Sequence, residues 1–577
     1  MNADRLLAHF EQISEASDAI ARLRRFILDL AVRGKLVEQD PEDEPAGELL
    51  AAISLETQQV KGSRKASPRS AGLVLDGPFG VPTSWEWTQL GAIGNWGSGS
   101  TPSRGRSDYY GGAISWFKSG ELNDNKCLRE SDEKITHLAL EQCSFRLNSP
   151  GDVLIAMYGA TIGKLAILGE EAVTNQAVCA CTPCWGVDTE YLYLFLLAQR
   201  DEFRLASEGG AQPNISKVKI VNTLIPLPPL AEQHRIVAKV DELMALCDQL
   251  EAARQQREQG RERLVAATLQ RLNQPAEDPA TFRKDASFAL QVLPSLTNTP
   301  AQIKQLRQTI LNLAVRGKLV EQDPEDEPVE VLLRKISQDL AAFTLQRRSR
   351  SQAKLVLTAE EHPFPLPCGW RWVSLDELFR VITDGDHQPP PKASDGVSFL
   401  TIGNISGGTI DFNGCRFVRK EYFDSLDEIR RPGLGDILYT VVGASYGRPV
   451  IVATERPFCV QRHIAILKPS RLMNSGYLLQ LLSSPFVYSQ ATASLTGTAQ
   501  PTIPLRPLRN FLAPLPPLAE QHRIVAKVDE LMALCDQLEQ QLSQADQQRR
   551  RLLEAVLAEA LGGRLLIEKQ ESHAAIA

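Results

Sequence analysis

Leu6, Phe10, Ile13, Ile20 and Ile27 recur at helical spacing, the pattern of one apolar helix face. They predict a helix from about Asp4 to Val32. Gly34 supplies a left-handed cap there, and Pro41 and Pro45 oppose a quick return to helix. The end of that stripe recurs at Ile303, Leu306, Ile310 and Leu313, before Gly317. A longer pattern alternates steps of four and three through Ile524, Val528, Leu531, Cys535, Leu538, Leu542 and Ala545, then Leu552 and Val556 beyond Arg549. This is a heptad seam with charged and Gln residues outside it. Ile236, Val240, Leu243, Cys247 and Leu250 open the same seam earlier, and it weakens through an Arg/Gln/Glu run to Leu264. At about 1.5 Å per residue, a helix of about forty residues is a rod near 60 Å long, which is a spacer. Each seam needs an apolar partner, so the two rods are expected to pack antiparallel on each other. The other arrangement the pattern permits is two unrelated surface helices.

Between the helices the periodicity changes. Two regions begin "VPTSWEWTQLGAIGNWGSGSTP" at Val81 and "LPCGWRWVSLDELFRVITDGDHQPP" at Leu366. They carry Gly, Pro, aromatics and short β-like runs such as "GDVLIAM" (151–157) and "GDILYTV" (435–441). They predict small α+β domains. Polar, basic stretches precede them, "QQVKGSRKASPRS" (58–70) and "QRRSRSQAK" (346–354). These read as mobile linkers that either track phosphates or are merely solvated.

The helical segments are duplicated letter for letter. "AVRGKLVEQDPEDEP" occupies Ala31–Pro45 and Ala314–Pro328, and "PLPPLAEQHRIVAKVDELMALCDQLE" occupies Pro226–Glu251 and Pro514–Glu539. The chain is therefore a tandem repeat whose halves each run helix, identical block, divergent region, identical block. A surface offered twice suits two copies of one partner, while dissimilar domains suit two different targets. Recent duplication alone does not explain why identity is confined to the helices.

Composition narrows the class. The 577 residues suggest three to five domains, and 43% apolar with 23% charged residues is ordinary for a soluble protein. No apolar run approaches the roughly 20 residues that span a bilayer, and "MNADRLLAHFEQISEASD" lacks a signal-peptide pattern. Ten scattered cysteines fit reduced thiols and a cytoplasmic location. A net charge of -7 means that any DNA contact must come from locally concentrated cations.

Taken in order, "AVRGKLVEQDPEDEP", "SWEWTQLG" and "GWRWVSL", "GDVLIAMYGATIGK" and "GDILYTVVGASYGR", and "PLPPLAEQHRIVAKVDEL" resemble the specificity subunit of type I restriction–modification systems. The resemblance covers nearly the whole chain and lies in order and duplication more than in any one motif. It implies two globular α+β target-recognition domains separated by long antiparallel coiled-coil helices in a pseudo-twofold tandem repeat. The expected divisions are an N-terminal helical region (1–55), a basic linker (56–80), the first recognition domain (81–225), a central helical region (226–342), a second linker (343–362), the second recognition domain (363–513) and a C-terminal helical region (514–577). Each domain would read one half of a split double-stranded DNA site. The helices, through Ile236, Val240, Leu243 and Leu250 and through Ile524, Val528, Leu531 and Leu538, would form the coiled coil and dock two methyltransferase subunits. Motor–nuclease subunits would join them. S-adenosylmethionine, ATP and Mg are expected on those partners, with no cofactor, metal or catalytic residue in this chain.

Candidate chemistry fits that division. "GATIGKL" (159–165) is too short between its glycines for a phosphate loop, and Leu165 stands where Ser or Thr holds magnesium. Its counterpart "GASYGRP" (443–449) follows arginine with proline. Two readings remain open: a tight turn presenting Lys164 or Arg448 to DNA, or a plain hairpin with an exposed cation. Cys179, Cys181 and Cys184 lack a second ligand pair and read as strand-core residues rather than a zinc site. "DGDHQPPP" (384–391) looks like the Asp-Gly-x-His stretch of this family's recognition domains, which makes His387 and Gln388 candidate contacts; "GSGSTPSR" (97–104) takes its place in the first domain. "WFKSGELN" (116–123) and "FLTIGNIS" (399–406) match as strand–turn segments. They offer Lys118, Asn123 and Asn404 as residues that reach bases, with plain solvent exposure as the alternative. Gln212 and Gln500 correspond, and Lys217, Lys219, Arg506 and Arg509 are placed to position phosphates.

No methyltransferase motif, dinucleotide fingerprint, Walker A sequence or nuclease cluster is present, so a DNA-modifying enzyme lacks its parts. The expected function is reading DNA half-sites about 34 Å apart, one helical turn. The rival readings are a self-sufficient nucleotide-dependent DNA enzyme using "GATIGK", and a coiled-coil adaptor with no nucleic-acid role.

Overall fold

The computed structural model describes residues 15–60, 76–207, 213–273, 288–289, 297–347, 362–385, 390–405, 407–497 and 500–561. Leu6, Phe10 and Ile13 lie outside them; residues 15–18 form a turn, so the helix expected from about Asp4 does not run through and instead opens at Ala19, ending at Val32. It ends as the pattern predicts. Gly34 takes φ +65°, and the Lys35 N–H reaches back to the Leu30 carbonyl at 3.0 Å, a left-handed cap that satisfies an orphan acceptor. Gly317 repeats this with φ +65°, and Lys318 N–H donates to the Leu313 carbonyl at 3.0 Å.

After each cap the chain stays out of helix through Pro45 and Pro328, as the prolines predict. Helices that the apolar pattern does not single out then run over Ala46–Val60 and Val329–Arg347. Pro45 and Pro328 sit just ahead of these helices, where a missing N–H costs nothing. Leu49 and Ile53, like Leu332 and Ile336, are buried beneath the α+β domains.

The chain divides into two compact units, Met1–Arg257 with Asp546–Ala577, and Glu258–Ala545. In the first unit, Glu86–Gln89 pairs antiparallel with Leu224–Leu227 and ties the domain's entry to its exit. A five-stranded sheet runs, in spatial order, Gly94–Ser98, Val178–Pro183, Val153–Ala156, Leu165–Leu168 and Asn125–Leu128. A three-stranded sheet sets Tyr110–Phe117 between Lys134–Ile135 and Ala172–Thr174, with the latter pair parallel. Val178–Pro183 is buried on both faces: Cys179 and Cys181 enter one core, Val178 and Ala180 another. The second unit repeats the plan with fewer strands. Arg371–Ser374 pairs with Leu512–Leu515. A four-stranded sheet runs Phe379–Asp384, Ile464–Pro469, Ile437–Thr440, Pro449–Ile451, and Val397–Leu400 lies between Arg416–Val418 and a parallel Phe458–Val460. Each unit is thus one copy of an α+β plan.

The long helices are continuous over Leu230–Asn273 and Leu518–Leu561. In the first unit Ile236, Val240 and Cys247 are buried with Ile27, Ala31 and the domain core, and Leu243 packs against them, while Leu250 is 40% exposed. In the second, Ile524, Val528 and Cys535 are buried with Ile303 and Ile310, and Leu531, Leu538 and Leu542 pack at the edge. Each seam is therefore covered by the short helix and domain core of its own unit, and not, as the heptad pattern predicts, by the other long helix. Farther along, the buried positions are Val265 and Leu269 rather than Leu264, and Leu553 and Leu557 ahead of Leu552 and Val556. A straight helix drifts about 20° per heptad against a 3.5-residue repeat, so four heptads move the buried place on by almost one residue.

Polar contacts repeat as faithfully as the apolar ones. Glu232 is buried and accepts from Trp85 Nε1 (2.9 Å) and Gln39 Nε2 (2.6 Å); Glu520 accepts from Trp370 Nε1 (2.9 Å) and Gln322 Nε2 (3.0 Å). Arg235 pairs with Asp43 and Arg523 with Asp326, both at 2.6 Å. Arg24 bridges Asp248 and Glu251, as Arg307 bridges Asp536 and Glu539. The buried hydroxyls of Tyr191 and Tyr477 donate to the carbonyls of Pro226 and Pro514, each at 2.6 Å. These bonds join the two identical blocks to each other and to the tryptophan that opens each divergent domain.

Candidate nucleic-acid interface

The glycine-rich turns are hairpin ends. Gly159 and Gly163 take φ +63° and +77°, and Gly443 and Gly447 take +86° and +79°. Gly163 N–H donates to the Ala156 carbonyl at 2.9 Å and Gly447 N–H to the Thr440 carbonyl at 2.8 Å. Each turn leads into a strand, Leu165–Leu168 and Pro449–Ile451. A phosphate loop requires a helix opening at its lysine so that backbone N–H groups converge on the anion. Here the lysine or arginine opens a strand, so the nucleotide-binding geometry is not formed.

Each turn is pinned to the later basic segment. Gly159 N–H donates to the Pro213 carbonyl at 2.8 Å, and Gly443 N–H to the Pro501 carbonyl at 2.9 Å. The Lys164 turn and the segment carrying Lys217 and Lys219 therefore share one edge, as do the Arg448 turn and the segment carrying Gln500, Arg506 and Arg509. Lys164 Nζ also donates to Asn123 Oδ1 at 2.8 Å, which adds the turn after Tyr110–Phe117. Arg200 braces that corner, donating to the Gly163 carbonyl at 2.8 Å and pairing with Asp124, which takes φ +62°.

Individual candidates differ in what holds them. Asn123, Lys217, Arg448, Gln500 and Arg506 are exposed. Lys118 pairs with Glu133 at 2.6 Å, and Glu133 also takes Arg104 at 2.8 Å; Arg104 first and Lys118 second hold the Glu133 carboxyl below its usual range. Lys219 Nζ donates to the Ala206 carbonyl at 2.7 Å. Asn404 caps its own turn, its Oδ1 accepting from Thr401 N–H (2.9 Å) and its Nδ2 donating to the Asp411 carbonyl (3.0 Å). Arg509 donates to the Ile382 carbonyl at 2.6 Å. Gln212, His387 and Gln388 lie outside the described residues.

Two stretches that look unrelated in sequence occupy matching places. Gly99 N–H donates to the Val178 carbonyl and Gly385 N–H to the Ile464 carbonyl. A Cβ at Gly99 would lie 2.0 Å from the Thr174 oxygen, and one at Gly385 would lie 2.0 Å from the Val460 oxygen. Both contacts are to backbone, which cannot swing aside. Gly385→Ala is expected to lower stability by about 2 kcal/mol or more; an unchanged midpoint in thermal unfolding of the full chain would contradict that close approach.

The second turn also carries an aromatic pair that the sequence pattern does not single out. Tyr446 stacks on Tyr488 with centroids 5.3 Å apart and planes 6° from parallel, and the Tyr446 hydroxyl meets Thr492 Oγ1 at 3.0 Å. Tyr158, just ahead of Gly159, is 43% exposed. The available signal is a tyrosine inside or beside a glycine turn that also carries a cation. Cys179 and Cys181 are core thiols; burial pushes Cys179 up to about 11. Among the described residues no cluster of three or more His, Cys, Asp or Glu is arranged to hold a metal, and no helix is long and apolar enough to cross a membrane.

Residues 82–258 and 367–545 match the family described as the type I restriction modification DNA specificity domain. The type I restriction enzyme EcoAI specificity subunit of Escherichia coli is 27% identical over 94% of this chain and 94% of its own length. The EcoEI specificity subunit, also from Escherichia coli, shares 27% identity with the same coverages. Among solved structures, the HsdS subunit of Thermoanaerobacter tengcongensis is 22% identical over 85% of this chain and 100% of that chain, with a TM-score of 0.43. A chain from a type I restriction–modification assembly is 21% identical over 84% of this chain and 100% of that chain, with a TM-score of 0.48. Two family matches that together take in more than half of the sequence, each enclosing one α+β domain and the start of one long helix, make this chain a member of the DNA specificity subunits of type I restriction–modification systems.

Proposed function

We propose that each α+β domain reads one half of a bipartite double-stranded DNA site and that the duplicated helical blocks dock two methyltransferase subunits, which motor–nuclease subunits then join. The observation that carries this reading is the contrast between the two kinds of segment. The Trp–Glu–Gln and Arg–Asp contacts of the duplicated blocks agree partner for partner, whereas the two divergent domains differ in sequence and in strand number. Identical handles suit one partner used twice, and dissimilar edges suit two half-sites.

The long helices are spacers in this reading, each with its seam closed inside its own unit, and the spacer between half-sites matters by its length rather than its letters. Exposed Lys217, Arg448 and Arg506 meet phosphates or guanine edges, and exposed Asn123 and Gln500 meet adenine edges. The chain is non-catalytic, and the partners carry S-adenosylmethionine, ATP and Mg. Exchanging residues 81–225 for the equivalent domain of a related specificity subunit tests the reading. Methylome sequencing of a host carrying the hybrid is expected to show one changed half-site and one unchanged half-site at the same spacing. A change in both halves, or in neither, overturns it.

A further inference from the structure

The proposed docking role leaves open which surface the partner grips, and the location of that surface rests on the same role. Identity between the two copies has a packing reason at buried positions such as Ile236 and Ile524, and none at exposed ones. Glu38, Asp40, Glu42 and Glu44 are exposed in the first copy, as are Glu321, Asp323, Glu325 and Glu327 in the second. Segment 36–41 forms an open groove of about 470 Å3 with Arg235 and Lys239. The same residues recur at 319–324, Arg523 and Lys527. Lys239 pairs with Glu242 at 2.8 Å and Lys527 with Glu530 at 2.9 Å. One turn beyond each glutamate, on the same helix face, stand Leu246 and Leu534, 46% and 48% exposed. Past Glu251 and Glu539 the two helices diverge.

The exposed groove residues and the leucine beyond them, identical in both copies where no packing within the unit requires it, mark a surface that an assembly covers. The acidic strip along its rim excludes DNA as the occupant, because four carboxylates within one short segment repel phosphates. It fits a protein surface that sets cationic groups against the strip and an apolar pocket around the leucine. We infer that the composite patch of groove 36–41, Arg235, Lys239 and Leu246, with its repeat at 319–324, Arg523, Lys527 and Leu534, is the seat of a methyltransferase subunit, one copy per patch.

The test uses the full chain with the methyltransferase subunit of its own system, the bound copies being counted by native mass spectrometry. Leu246→Lys and Leu534→Lys are each expected to lower the complex from two bound copies to one, with at least about tenfold weaker binding at the altered patch. The double variant is expected to bind none, and thermal unfolding of the free chain is expected to be unchanged, since both side chains are exposed. Charge reversal at Glu38, Asp40 and Glu42 with Leu246 intact is expected to cost one copy as well. A double variant that keeps two copies overturns this location while the docking role stands. A wild-type chain that binds fewer than two overturns the docking role itself.

Discussion

Glu520→Ala is expected to destabilise the second unit by about 3 kcal/mol and to leave the first unit's helices protected as before. The carboxylate is buried between two donors, Trp370 Nε1 and Gln322 Nε2. Removing it strands an indole N–H inside the core, at about 1–3 kcal/mol for an unsatisfied buried group, and opens a void beside it. Relief of the buried charge offsets part of this. Hydrogen exchange read at Pro300–Val315 against Ala19–Val32 separates the units. Glu232→Ala should give the mirror result, and equal loss in both units from either variant contradicts the equivalence.

The pH dependence of the same group has a definite sign. Desolvation by burial raises the Glu520 pKa above its ordinary 4.5, against the opposing hydrogen bonds from Gln322 and Trp370. Glu232 is raised for the same reason. A raised carboxyl binds its proton more tightly when folded. Its contribution is therefore complete below pH 4.5 and is lost as pH rises through the folded value. Glu520→Gln keeps an acceptor for Trp370 and does not titrate. Its stability deficit against wild type should shrink between pH 5 and pH 7.5 in urea titrations, and a deficit that grows over that range contradicts the assignment.

These two glutamates also show how far the sequence carries. The repeated blocks are legible because repetition needs no knowledge of packing, and the helix caps at Gly34 and Gly317 are legible because a left-handed residue after a stripe has one common use. The partner of Glu232 is not legible. Trp85 lies far away in sequence and meets it only because Glu86–Gln89 pairs with Leu224–Leu227. The same holds for Lys118. Its charge is visible in the sequence, but its closure onto Glu133 depends on strand Tyr110–Phe117 folding against Lys134–Ile135. Asn404 reads in sequence as a group free for a base and instead caps its own turn. Short-range pattern reports residue type and face, whereas engagement of a polar side chain is a tertiary fact.

Two departures from the sequence pattern have simpler causes. Pro41 and Pro45 keep 33–45 out of helix as the pattern predicts, but proline ahead of a helix is also among its common starts, and the pattern misses Ala46–Val60. Strict heptads carry the seam to Leu264 and Leu552, although a straight helix turns about 100° per residue and places Val265 and Leu553 on the face of Ile236 and Ile524.

That drift decides where the chain's last described helix is needed. Leu553 and Leu557 are buried with Ala16, Ala19, Phe26 and Leu30, as Val265 and Leu269 are buried with Leu313 and flanked by Leu306 and Leu319. Arg550 adds a hydrogen bond to Ser17, and Arg22 pairs with Glu554 at 3.7 Å. The first unit is therefore completed by residues from the far end of the sequence, and the second by residues 258–272. A chain ending at Ala545 is expected to lose protection at Ala19–Val32, with local stability lower by about 2–5 kcal/mol, the range for removing buried leucines. Protection at Pro300–Val315 should hold, because its cover at Val265 and Leu269 remains. Leu553→Ala in the full chain should reproduce most of the loss, and Val265→Ala should move the smaller effect of a shorter side chain to the second unit. If the shortened chain instead loses protection at Pro300–Val315 and keeps it at Ala19–Val32, the C-terminal helix end supports the half of the chain it follows in sequence, and the assignment of Asp546–Ala577 to the first unit is wrong.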